Sequence, residues 1–273
     1  MKFLSRFYIA LVFLLLYAPI LVVVLFSFNS SNSLSEFSGF TLYWYRELFR
    51  DGEALAALKN SLILAAVSSI LATLIGTLAA FSIARAKSKR YQRVMEGVSN
   101  IPMMNPDIVT GVSMMLLFVG VGAIIGLSDT LGFWTMLLAH TTFNLPYVIL
   151  SVLPRFRQMD KSLTEAALDL GCTPAQTFLR VELPYIMPGI ASGLMMSVAL
   201  SLDDFIISHF VSSSDFKTLP LYIYNQTAHE VKFSMYALCT LMIVVILFLL
   251  IAVNLFGGRD GTQRKKKKAG VTK

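Results

Sequence analysis

The strongest constraint on this chain is a rhythm of apolar runs, each long enough to cross a bilayer, cut by polar intervals. A helix rises about 1.5 Å per residue, so a hydrocarbon layer of about 30 Å takes roughly 20 residues. Runs of that length fall at about 7–28, 61–84, 133–153, 189–209 and 235–256. A sixth lies within 94–126, an interval too long for one straight span, and Pro102 and Pro106 predict a break there. Across 273 residues, 56% are apolar, 14% are charged and the mean hydropathy is +0.68. Such a balance excludes an ordinary soluble domain. A run of about 20 apolar residues has the length of a spanning helix, so helices are expected. The fold class expected is all-α, a polytopic membrane protein with six transmembrane helices.

Charge orients the spans. The net charge of +7 invites a nucleic-acid reading, but the Lys and Arg lie beside the runs and at the C-terminus. Counted from the N-terminus, the intervals that share one side hold 2, 5, 4 and 7 of them, and the others hold 3, 0 and 2. Positive intervals stay in the cytoplasm, so both termini and the interval 154–188 are expected there. Residues 1–6 then form a cytoplasmic N-terminus, 7–256 the membrane domain and 257–273 a basic cytoplasmic tail. In that tail Arg264-Lys265-Lys266-Lys267-Lys268 reads as a solvated orientation signal. The first run, at about 22 residues, suits a retained spanning helix better than a signal peptide. Cys172 and Cys239 form no metal or disulfide pattern.

One polar interval carries several local signals. Ser162 followed by Glu165 reads as a capping box that starts a helix at Ser162. Leu163, Ala166, Ala167 and Leu170 fall at i, i+3, i+4 and i+7, on one face. Gly171 sits where a left-handed C-terminal cap belongs. Thr173-Pro174-Ala175-Gln176 restarts the chain as a second helix, with Thr at the N-cap, Pro first and Gln third. An exposed helix with small side chains, in a short loop between spans, suits a groove on a soluble partner. On the second span, Ser68, Ala72, Gly76, Ala80 and Ala84 make a ridge of small residues that lets another helix come close. In the first external interval, Trp44 and the neighbouring tyrosines suit a membrane-interface belt or a surface for an external partner.

No Gly-x-x-x-x-Gly-Lys-[Ser/Thr] stretch is present, and His140, His209 and His229 lack zinc-ligand spacing. If ATP drives this protein, another chain hydrolyses it. The informative residues are acids in apolar surroundings: Asp203 and Asp204 in Ser201-Leu202-Asp203-Asp204-Phe205, and Asp107 at the break in the third span. A carboxylate at mid-bilayer costs roughly 3 kcal/mol even on the lenient insertion scale, so these acids must face a cavity, a partner helix or a ligand. A path lined with acids favours a cationic solute. A single Asp capping a helix break is the structural alternative for each.

These residues carry a resemblance. Glu165-Ala166-Ala167, three residues, Gly171, nine residues, Val181, one residue and Leu183-Pro184 resemble the cytoplasmic coupling loop of ABC-importer permeases. Val181 stands where that family more often has Ile. Asn105-Pro106-Asp107-Ile108-Val109, Gly132-Phe133-Trp134, Asn144-Leu145-Pro146, Ser201-Leu202-Asp203-Asp204-Phe205 and the aromatic segment 39–49 together resemble the second permease subunit of spermidine/putrescine importers. The resemblance implies a type I ABC-importer permease of six helices in the cell membrane. It implies four kinds of neighbour: a homologous second permease, an ATPase dimer, an external polyamine-binding protein and the lipid bilayer. It implies no nucleic acid, no catalytic residue and no metal or cofactor on this chain; ATP and Mg²⁺ belong to the ATPase. Glu165, Ala166, Ala167, Gly171, Leu183 and Pro184 are then the coupling residues, with Asp203, Asp204 and Asp107 as the solute path. Tyr147, Phe205, Tyr222 and Tyr224 are further candidates for holding charged amines. Three readings stay open: a secondary transporter or channel that uses the acids as cation sites, an ABC importer for another cation such as thiamine or a metal ion, and a non-transporting membrane scaffold, which explains the polar loop but not the acids.

Overall fold

A computed structural model describes residues 2–31, 36–126, 130–228 and 233–257. The expected turn at Asp129, His229 and the basic run 264–268 lie outside the described residues. Among the described residues, five helices are long and apolar enough to cross a membrane: Arg6–Phe26, Gly52–Arg85, Asp107–Ile125, Phe133–Gln158 and Pro174–Asp203. A sixth apolar helix begins at Phe233. Each sits where the hydropathy put it, with bounds that differ by a few residues to more than a turn.

The chain divides into two compact units. The first comprises residues 1–58 and 222–248. Helix α1 (Lys2–Phe26) is exposed along most of its apolar length, as a lipid-facing helix is. The loop after it folds on Asn29, which is fully buried and pairs with Phe40 in an isolated antiparallel bridge. The Asn29 amide donates to the Glu36 carbonyl (2.9 Å) and its Oδ1 accepts from the Ser38 N–H (3.0 Å). Helix α2 (Tyr43–Leu48) follows. The Trp44 indole donates to the Asn29 carbonyl (2.7 Å), so this Trp is partly an internal tie, whereas Phe40, Tyr43 and Phe49 are exposed. Asp51 caps the next helix by accepting from Glu53 and Ala54, and the Tyr222 hydroxyl donates to its other oxygen (2.7 Å). Burial and that carboxylate push the Tyr222 phenol above its ordinary range.

The second unit comprises, among the described residues, 59–221 and 249–257. It holds most of α3 (Gly52–Arg85), then α4 (Lys89–Met104), α5 (Asp107–Ile125) and α6 (Phe133–Gln158). After these come α7 (Lys161–Asp169), α8 (Pro174–Thr177), a π turn (Phe178–Glu182) and α9 (Leu183–Asp203). The short α10 (Ile206–Val211) and the start of α11 (Leu219–Thr227) follow. Helix α12 (Phe233–Gly257) completes the described chain.

Helix α6 is the centre of this unit because small residues let its neighbours approach. On α3, Ser68, Ala72 and Ala80 of the expected ridge are fully buried. A Cβ built on Gly76 would lie 2.7 Å from Val148 Cγ1 of α6. On α9, a Cβ on Gly189 would lie 2.7 Å from Arg155 Cγ and 2.9 Å from the Ser151 carbonyl. Pro146 and Pro154 are both carried inside α6, so neither ends it.

Two expected boundaries move. The break in the third span falls at Asn105–Pro106, while Pro102 is held inside α4. Helix α4 is amphipathic with no buried residue, so it is an approach to the span and not half of it. The fifth span does not start at Gly189. Its helix is continuous from Pro174, through the π turn, to Asp203. It stops there, and residues 204–205 separate it from α10, so Asp203 and Asp204 do not lie on one unbroken helix. Hydropathy sees apolar runs and cannot register a helix that continues through polar residues or stops within apolar ones.

Candidate functional site

Two places in the second unit hold most of the expected site residues: the 160–184 segment, and the break after α9. The first is built largely as its local code specifies. Gly171 has φ +85° and ends α7. Its N–H donates to the Leu168 carbonyl (2.9 Å), and the Cys172 N–H donates to the Ala167 carbonyl (3.1 Å). That pair of bonds is a Schellman motif, whose left-handed residue favours glycine. Thr173 and Gln176 form the expected capping box on α8: the Thr173 Oγ1 accepts from the Gln176 N–H (3.3 Å) and the Gln176 Oε1 accepts from the Thr173 N–H (3.0 Å).

The start of α7 differs from expectation. Its N-cap is Asp160, whose Oδ1 accepts from the Ser162 N–H (3.0 Å), so Ser162 is already helical. Glu165 then falls at the fifth helical position, beyond reach of the cap. The Ser162 N–H and hydroxyl hold the Asp160 carboxyl below its ordinary range. Freed from capping, Glu165 is exposed at the edge of a cavity of about 480 Å³, lined also by Arg85, Arg157, Lys161, Thr164, Leu168, Thr177 and Glu182. Of the expected apolar face, Ala167 is buried, while Leu163, Ala166 and Leu170 are exposed. Leu183 and Pro184 open α9.

Glu182 was not among the expected site residues, yet it ties the segment together. It is 1% exposed. It forms an ion pair with Arg85 at the end of α3, and its Oε1 accepts from Thr164 of α7 (3.3 Å). The π turn makes this possible. The Leu183 N–H bonds back to the Phe178 carbonyl, one residue farther than in an α-helix. The inserted residue rotates the remainder of the helix by about 100°. One carboxylate thereby joins α3, α7 and the base of α9. A second pair, Arg157 with Glu96, joins α6 to α4. The positions of Arg85 and Glu182 were visible in the sequence; their pairing across 97 residues was not.

At the other place, the acids differ from one another. Asp204 caps α10: it accepts from the N–H of Ile207 (3.2 Å) and from the N–H and hydroxyl of Ser208 (both 2.8 Å). His140 of α6, fully buried, lies 3.4 Å from the same carboxylate. Asp203 is exposed and stands in the last turn of α9, where the helix dipole disfavours a negative charge. Asp107 is exposed in the first turn of α5, where the dipole favours it. A Cβ on Gly111, one turn along α5, would lie 3.5 Å from the Ile206 carbonyl. The first turn of α5 and the break after α9 therefore share a neighbourhood. Of the four aromatic candidates, Phe205 is at that break and Tyr147 is part-buried on α6, while Tyr222 and Tyr224 belong to the first unit.

Residues 72–259 match the profile of a family described as the binding-protein-dependent transport system inner membrane component. The chain is 39% identical over 231 residues to the putrescine transport system permease protein PotI of Escherichia coli strain K12, covering 85% of this chain and 82% of the relative. It is 37% identical over 253 residues to the spermidine/putrescine transport system permease protein PotC of Haemophilus influenzae, covering 93% of this chain and 96% of that one. Its backbone matches a chain from a bacterial ABC transporter involved in the import of the acidic polysaccharide alginate, with a TM-score of 0.76 over 95% of this chain and 96% of that one. Identity there is 17%, so that likeness concerns the fold alone. Six apolar helices, a match to the family profile over most of the chain and two near-full-length relatives agree: the chain is a multi-pass membrane protein that belongs to the binding-protein-dependent transport system inner membrane components.

Proposed function

We propose that this chain is one of two membrane subunits of an ATP-driven importer of polyamines, and that its 160–184 segment, on the cytoplasmic side, receives the movement of an ATPase partner. The observation that carries the solute class is the identity of 37–39% over most of the chain to permeases named for putrescine and spermidine. The assembly has a homologous second permease, an ATPase dimer that uses ATP and Mg²⁺, and an external binding protein. Both termini are cytoplasmic, in line with the Lys and Arg distribution.

The mechanism is alternating access. When nucleotide closes the ATPase dimer, the face of α7 that carries Leu163, Ala166 and Leu170 moves with it. The segment passes that displacement on as a unit, because Glu182 fixes α7 to the end of α3 and the π turn runs directly into α9. The spans open outward, accept solute and reverse after hydrolysis. The coupling energy is the ATPase's; this chain contributes stiffness. Asp107 and Asp203 supply negative charge along the path. Asp203 is the better placed of the adjacent pair, since Asp204 is committed to capping.

Two expectations test this reading. Asp203→Asn lowers polyamine uptake about tenfold, the order expected from losing a hydrogen bond to a charged group. Unchanged uptake kinetics at equal expression remove this acid from the path. Gly171→Val meets no neighbour within 4 Å, so its whole effect is the backbone: a β-branched residue at φ +85° costs roughly 1–2 kcal/mol. Insertion stays normal while ATP hydrolysis separates from uptake, measured in the purified complex. Full coupling in well-expressed Gly171→Val protein counts against the lever. The deciding experiment for the function as a whole is uptake into liposomes holding the purified complex, with competing cations. Transport that needs a proton gradient and no ATP establishes a secondary transporter in its place.

A further inference from the structure

We infer that His140 is a positioning residue for the solute path: it fixes the break after α9 and so sets where Asp203 stands. This rests on the polyamine-importer reading above. The imidazole is fully buried on α6, between α9 and α10. Its Nδ1 lies 2.7 Å from the Ser201 hydroxyl of α9, and its Nε2 lies 3.1 Å from the Ser208 hydroxyl of α10. The Ser201 hydroxyl lies 3.3 Å from that of Ser68 on α3. Phe143, one turn along α6, packs its ring against the imidazole at 5.4 Å.

Proton counting fixes one end of this chain of bonds. The Ser208 hydroxyl donates its single hydrogen to Asp204, so it can only accept from His140. Nε2 therefore carries a hydrogen in either charge state of the ring. His140 thus holds Ser208, Ser208 holds Asp204, and Asp204 caps α10. From the other ring nitrogen the same side chain grips Ser201, two residues before Asp203. One imidazole therefore bridges both sides of the break. Without it, the capped start of α10 is no longer tied to the end of α9, and Asp203 loses its fixed direction.

Two substitutions separate positioning from bulk. His140→Gln keeps an N–H donor and an acceptor in a chain of similar reach; His140→Leu keeps neither. Uptake of putrescine and of spermidine is measured per assembled complex in liposomes. With His140→Leu the maximum rate falls tenfold or more. The half-saturating concentration stays within threefold, because capture by the external binding protein precedes this step. His140→Gln restores the maximum rate to within threefold of wild type. In a cycle with Asp203→Asn, the double variant is no slower than the slower single variant. If His140→Leu prevents assembly, Ser208→Ala removes only the relaying hydroxyl and is expected to lower the maximum rate threefold to tenfold. Wild-type rates in His140→Leu, equal loss in the Gln and Leu variants, additive loss with Asp203→Asn, or no loss in Ser208→Ala would each overturn the inference. Absence of polyamine uptake by the wild-type complex would instead fail the underlying function.

Discussion

Arg85→Ala is expected to damage this protein more than Glu182→Gln, although the two residues form one ion pair. The pair is unevenly wet: the Arg85 side chain is 44% exposed and that of Glu182 is 2%. Removing one partner of a buried pair costs about 3–5 kcal/mol, because a charge is left in a medium that cannot solvate it. Without Arg85, the Glu182 carboxylate keeps only the Thr164 hydroxyl. Its second oxygen already lacks a hydrogen-bond partner among the described residues. Without the Glu182 charge, the guanidinium turns to water and keeps its place over the Phe81 ring, 4.7 Å away. The expected cost is about 3 kcal/mol for Arg85→Ala and about 1 kcal/mol for Glu182→Gln. The double variant is more stable than Arg85→Ala alone, since it no longer buries an unpaired charge. Thermal unfolding of the purified complex gives the order, and uptake per ATP hydrolysed gives the functional consequence. Under the proposed function, Arg85→Ala is expected to lose coupling, because α7 is no longer tied to α3. A double variant less stable than Arg85→Ala would show that the pair acts by something other than charge compensation.

The second large effect belongs to the seams on either side of α6. Gly189→Leu places a Cβ 2.9 Å from the backbone carbonyl of Ser151, which cannot swing aside as a side chain can. Gly76→Leu drives into Val148 at 2.7 Å. Overpacking of this kind costs roughly 1–3 kcal/mol for a methylene or two, and a full Leu exceeds that. Both variants are expected to lose assembled protein, seen as a fall of severalfold or more in monodisperse complex after detergent extraction. Gly97→Leu is the control. It sits in α4 with nothing within 4 Å of the new Cβ and is expected to keep wild-type yield. Equal yields from all three would mean that the close approach of α3 and α9 to α6 is not what holds this unit together.

The small ridge on α3 is legible from spacing alone, since a repeat of four puts Ser68, Ala72, Gly76 and Ala80 on one face whatever they touch. The turn between α7 and α8 is legible for a similar reason: Gly171, Thr173, Pro174 and Gln176 act on bonds within five residues of themselves. The cap at Asp160 is hidden because Ser162 offers an equally good local signal two residues later, and local codes cannot arbitrate between two valid caps. The π turn is hidden because nothing in Phe178-Leu179-Arg180-Val181-Glu182 alone requires it. It turns Glu182 toward an arginine that the local code cannot see.

The acids show the same division. Hydropathy marks Asp107, Asp203 and Asp204 as costly and therefore purposeful, but leaves solute path and helix cap open for each of them. Hydrogen bonding separates them. Asp204 is spent on the start of α10 and on the His140 network, whereas Asp203 stands exposed at the unfavourable end of a helix dipole.

By itself, the sequence determined that this chain crosses a membrane on apolar helices, roughly where their apolar stretches fall though not where each helix begins and ends, and that a capped two-helix segment lies between two of them. These follow from transfer free energies and from hydrogen bonds that close within a turn or two, which are properties of neighbours in the chain. Only the tertiary structure decided that Glu182 meets Arg85, that His140 bridges the break after α9, and which of two adjacent carboxylates is left exposed. Those outcomes depend on charges and polar groups brought together from distant helices, and buried polar groups accept whatever partner the packing supplies.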